Sequence, residues 1–135
     1  MEAEETLLEK YNKELTDFFA INEFNVKEVQ LRLPGVKHLF VTRLIKHKQL
    51  EQKLKKAKEN AKNRAAKEIE ESSPVLLSSG TVQSAIEKSE TIQKINQQII
   101  DNSFIIEFLE RTEKILSSTT YDIKNIVEIT KMETT

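Results

Sequence analysis

The chain has no cysteine and no tryptophan, only two glycines and two prolines, and no apolar run approaching the ~20 residues of a membrane span. Without cysteine there is neither a disulfide framework nor a thiolate metal site, which suits a reducing cytoplasm. With so few breakers and abundant Lys, Glu, Ile and Leu, helices are expected rather than a sheet. The opening residues MEAEETLLEK are acidic where a signal peptide is basic, so the expected setting is soluble and cytoplasmic. A length of 135 residues calls for one domain, residues 1–135.

Catalytic signals are sparse as well. His38 and His47 are solitary, with no Asp or Cys at metal-ligand spacing. Gly35 and Gly80 form no phosphate-cradling loop, and nothing pairs the many carboxylates. No catalytic residue, metal or cofactor is expected, and the chain reads as a non-enzyme.

What the chain does have is charge sorted by position. The formal net charge is −1, yet from Met1 to Glu23 seven acids face two bases. Between Arg43 and Lys67 ten bases (Arg43, Lys46, Lys48, Lys53, Lys55, Lys56, Lys58, Lys62, Arg64, Lys67) face only Glu51 and Glu59. Segmentation of this kind says more about partners than the total does.

Apolar spacing divides the chain. Leu7, Leu8, Tyr11, Leu15, Phe18 and Phe19 recur at three and four residues and predict a first helix, acidic on its outer side. Val29, Leu31 and Leu33 alternate with polar residues ahead of Pro34, so 24–33 reads as an extended arm or short strand. A long basic helix is expected over 34–70, its apolar line running through Leu39, Phe40, Leu44, His47, Leu50, Leu54, Ala57, Ala61, Ala65 and Ile69. His47 is read as a residue of that line, and the alanines leave room for a partner helix to approach closely.

A loop is expected at 71–80, where Pro74 and Gly80 sit in a serine cluster, then an amphipathic helix over 81–117 capped at Ser84 or Thr81. SSTT then interrupts, leaving a short last helix over 118–135. On the 81–117 helix, Ile92, Ile95, Ile99, Ile106 and Leu109 share one face, while Ile100, Phe104, Phe108 and Ile115 lie nearly opposite. Both faces need cover, and the second is the expected self-association surface. Asn102 falls within the first face, either solvated or buried as a register-setting residue. The expected architecture is therefore all-α: a long helical hairpin with a short N-terminal and a short C-terminal helix, assembling as a homo-oligomer.

With ten bases against two acids on one helix, the Glu-to-Lys pairs four apart that a solvated face usually carries are scarce. A phosphate backbone is the simplest partner. No aromatic residue lies between Arg43 and Ile69, so base stacking by this segment is excluded and contacts go to phosphate. Several copies in an oligomer supply avidity that one helix lacks. The alternative is a non-catalytic scaffold or assembly chaperone whose basic helix binds an acidic protein.

LPGVKHLFVTRLIKHKQLEQKLKKAKENAKNRAAKE, with the later NSFIIEFLERTEKIL and DIKNIVEITKM, resembles the UvsY family of recombination mediators of T4-like phages, in order and character over roughly residues 30 to 132. The resemblance implies a ring-shaped homo-oligomer in the infected host cytoplasm. It would bind single-stranded DNA and help displace the single-strand-binding protein so that the phage recombinase loads. It also implies strand contacts late in the basic helix, where AKNRAAK gives that role to Lys62 and Arg64, with Lys58 and Lys67 as neighbours.

Overall fold

The computed structural model describes residues 5–73 and 75–134; Glu2, Glu4 and Pro74 lie outside them. Four helices follow in order: α1 (Leu7–Phe19), α2 (Val26–Ser72), α3 (Ser79–Glu87) and α4 (Glu90–Thr134). No strand occurs among the described residues, and no helix there is long and apolar enough to cross a membrane.

Each start has a local cause. Thr6 and Glu9 form a reciprocal capping box, the Thr6 hydroxyl accepting from the Glu9 N–H at 3.1 Å and the Glu9 carboxylate from the Thr6 N–H at 3.3 Å. Such a cap contributes about 1 kcal/mol. Between α1 and α2 two asparagines tie the chain. The Asn22 side-chain oxygen accepts the N–H groups of Phe24 and Asn25, and Asn25 answers by accepting from the Asn22 N–H at 2.8 Å. The Asn25 carbonyl then takes the Val29 N–H at 3.0 Å, which opens α2.

The expected extended arm at 24–33 is thus helical from Val26 onward. Val29 and Leu33 are buried while Leu31 is 74% exposed, so the working spacing is Val26, Val29, Leu33, Val36, Phe40 at helical intervals, not the alternation. Pro34 sits inside the helix at an exposed position and has no N–H to offer the Gln30 carbonyl.

Two further boundaries differ from expectation. The 81–117 helix is two helices: Ser78, not Thr81 or Ser84, caps α3, its hydroxyl accepting from the Thr81 N–H, and the chain turns at Lys88 and Ser89 before α4. The separate helix at 118–135 does not exist, because α4 runs unbroken through SSTT. There the hydroxyls bond back to their own helix: Ser117 to the Glu113 carbonyl at 2.9 Å, Thr119 to that of Ile115 at 2.8 Å. With its hydroxyl satisfied, Thr119 can be buried, and the face of Leu109, Thr112, Leu116, Thr119 and Ile123 continues at three- and four-residue steps.

Packing falls into two compact units. One comprises α1, α2 through Leu44 and α4 from Glu107; the other runs from Ile45 to Ile106. In the first, Tyr11, Leu15 and Phe18 of α1 are buried with Val29, Leu33, Phe40 and Leu44 of α2 and Leu109, Leu116 and Ile123 of α4. Tyr11 meets Phe40 edge to face, ring centroids 6.3 Å apart. A groove of about 200 Å³ is lined by Lys37, Phe40 and Val41 opposite Glu113, Leu116 and Ser117, and another by Gln30 and Leu33 opposite Ile123 and Val127. Higher numbers on one helix face lower numbers on the other, so α2 and α4 run antiparallel in this unit.

In the second unit α3 lies on the alanine-rich part of α2. Val82, Ile86 and Ile92 form a cluster against Ala61, Ala65, Ala66, Ile69 and Leu77. The small alanine side chains leave room for α3 and Ile92 to pack against α2. Nearer the middle of α2 the helices are joined by one buried polar pair: the Asn102 side-chain oxygen accepts from His47 Nδ1 at 2.8 Å, and its Nδ2 donates to the His47 carbonyl at 2.9 Å. An amide oxygen offers only lone pairs, so the His47 proton must sit on Nδ1. Asn102 is 4% exposed, which selects the buried, register-setting reading.

Candidate nucleic-acid interface

α2 carries the whole run of ten bases, and their placement follows from which of its sides is covered. In the second unit the buried and half-buried residues are His47, Glu51, Leu54, Lys58, Ala61, Lys62, Ala65, Ala66 and Ile69. Leu50 and Ala57, expected on the apolar line, are exposed, as is Leu39 in the first unit. At roughly 100° per residue the covered seam is turned about 40° away from them, toward Lys58 and Lys62. The causes are tertiary: Asn102 fixes His47 inward, and α3 occupies the side bearing Ala65, Ala66 and Ile69.

The rotation separates the bases into three groups. Arg43 is engaged within the first unit. Its guanidinium bonds the Glu14 carboxylate at 2.5 Å and stacks over Tyr11 at 4.2 Å and Phe40 at 4.9 Å, its side chain only 17% exposed. α1 thus neutralises the first base of the run, a pairing across 29 residues that local charge counting missed.

The second group, Lys48, Lys55, Lys58 and Lys62, flanks the seam on the side that also holds Glu51 and Glu59. Lys55 pairs with Glu51 at 3.6 Å, and Lys58 and Lys62 are half-buried, their stems covering apolar surface. A depression of about 230 Å³ there is lined by Lys55, Lys58, Glu59, Lys62 and Asn63.

The third group is Lys46, Lys53, Lys56, Arg64 and Lys67, exposed on the other flank and the back of the helix. Among the described residues none of these five has an ion pair, and the two acids of the run point elsewhere. They form an open positive surface on a rigid helix, suited to point-charge contacts with a polyanion.

On α4 the second apolar face is largely exposed among the described residues. Phe104 is 57% exposed, Ile100 and Ile115 are about half exposed, and Phe108 is half-buried. Isolated exposed leucines need no explanation, but a row at four- and seven-residue steps on one helix is the kind of surface that partners occupy.

An all-helical protein whose cationic helix surface has no ion pair among the described residues and no stacking ring on it is suited to contact with a polyanion. The family described as recombination, repair and ssDNA binding protein UvsY matches residues 36–135, and the chain is a member of that family. No curated protein and no solved structure matches it. The matched span takes in α3, α4 and the whole run of bases on α2, while α1 lies outside it.

Proposed function

We propose that the chain is a non-catalytic recombination mediator that binds single-stranded DNA. In this role it helps load a phage recombinase onto strands covered by single-strand-binding protein, in the host cytoplasm and as a ring-shaped homo-oligomer. Membership of a family of ssDNA-binding recombination and repair proteins supports the strand-binding part. The observation that carries it is the exposed set Lys46, Lys53, Lys56, Arg64 and Lys67, without ion pairs among the described residues. The exposed Ile100, Phe104 and Ile115 beside half-buried Phe108 on α4 support self-association, since apolar surface of that kind gains from being covered. Assembly sets several cationic helices along one strand, and avidity then replaces the weak binding of a single helix.

Fluorescence anisotropy with a labelled single-stranded oligonucleotide tests strand binding. Affinity should fall with salt by about 0.7 log units per phosphate contacted. Absence of binding at about 50 mM salt, where such contacts are strong, refutes it. For the loading step, recombinase assembly on a strand pre-covered by single-strand-binding protein should quicken on adding the chain; an unchanged lag refutes mediation.

A further inference from the structure

Between Ile45 and Lys67, on the flank of α2 that holds no acid in that span, Lys46, Leu50, Lys53, Ala57, Asn60 and Arg64 follow one another at steps of four and three residues, all within the second unit. The rotated seam leaves every one of them exposed, including Leu50, 40% open to solvent though apolar. Cation and apolar residue alternate along one line, with cations Lys46 and Lys53 about 10 Å apart and Leu50 and Ala57 the same. Resting on the strand-binding reading above, we infer that a single strand runs along this line, its phosphates on Lys46, Lys53 and Arg64 and its unpaired bases on the apolar shelf of Leu50 and Ala57.

The shelf accounts for a preference that lysines alone do not give. Point charges neutralise the phosphates of single and double strands alike. Only an unpaired strand can lay base faces on apolar side chains, because a duplex keeps its bases stacked inside. With no aromatic residue on this stretch of α2, aliphatic contact takes the place that ring stacking holds elsewhere. The opposite flank is poorly suited: Glu51 engages Lys55, Glu59 opposes a phosphate, and Lys58 and Lys62 are half-buried. Beyond Lys67 the acids Glu68, Glu70 and Glu71 end the line.

The test uses the full chain and one labelled deoxyoligonucleotide, single-stranded and as its duplex. Leu50→Gln with Ala57→Gln should weaken single-strand binding about fivefold while duplex affinity and the salt slope stay unchanged. Lys46→Ala, Lys53→Ala and Arg64→Ala together should lower the single-strand salt slope by about 2. Circular dichroism checks that helicity is kept, and Ala57→Gln alone gives the same reading at smaller amplitude if the pair unfolds. If the shelf variants bind single strands as the parent does, or lose duplex affinity equally, the inference fails while strand binding stands. A slope that drops for Lys55→Ala, Lys58→Ala and Lys62→Ala but not for the first set also overturns it. Failure of the parent chain to bind removes the underlying reading instead.

Discussion

Replacing Asn102 should unsettle the second unit more than any exposed substitution on either long helix. In Asn102→Ala, His47 Nδ1–H loses its acceptor at 2.8 Å and the His47 carbonyl loses its side-chain donor at 2.9 Å. As a mid-helix group the carbonyl keeps its intrahelical bond, so the ring N–H dominates the loss. His47 is 8% exposed and water reaches it poorly, so the orphaned donor costs about 1–3 kcal/mol. With the void left by the shortened side chain, the total comes to about 2–4 kcal/mol. The double variant His47→Leu, Asn102→Leu removes donor and acceptor together, and its stability should lie within about 1 kcal/mol of the parent or above it. Urea unfolding followed by circular dichroism at fixed protein concentration measures both. Should Asn102→Ala unfold within about 0.5 kcal/mol of the parent, the pair is not the anchor described here.

Three other outcomes follow from the same structure. Arg43→Met keeps the stem but loses the Glu14 pair and the Tyr11 and Phe40 faces. It should cost about 1–2 kcal/mol in denaturant unfolding yet leave oligonucleotide affinity within about twofold, since this base is spent internally. Thr119→Val exchanges a self-satisfied hydroxyl for a methyl of the same shape and should change stability by under about 1 kcal/mol, whereas Thr119→Asp buries a charge and should cost about 3 kcal/mol or more, read from thermal and urea midpoints. Phe104→Gln with Phe108→Gln should reduce the sedimentation coefficient to that of a smaller species with helicity retained; an unchanged coefficient refutes self-association through this face.

Much of the helical content was legible because it rests on local chemistry. The first helix, the long basic helix and the inner face of Ile92, Ile95, Ile99, Ile106 and Leu109 follow from three- and four-residue spacing, and His47 is in the seam as read. The arm at 24–33 differs from the structure because Val29 and Leu33 fit both periods, while Leu31 fits only the alternation. Only the burial of Val29 and Leu33 with Leu31 outside decides between them. SSTT looked like a break because serine and threonine compete with helical backbone; in the folded chain their hydroxyls bond back to Glu113 and Ile115, and the seam buries Thr119.

The sequence alone determined that the chain is helical, that it concentrates positive charge between Arg43 and Lys67, and that no aromatic ring lies within that stretch, since these depend on residue identity and order along the chain. Which bases are open was decided in three dimensions. Glu14 lies 29 residues from Arg43, and the turn of α2 that exposes Leu50 and Ala57 comes from Asn102 and from α3. A helix seen by itself has no fixed rotation about its axis. Only the neighbours that cover one side determine which residues on the other meet solvent and ligand.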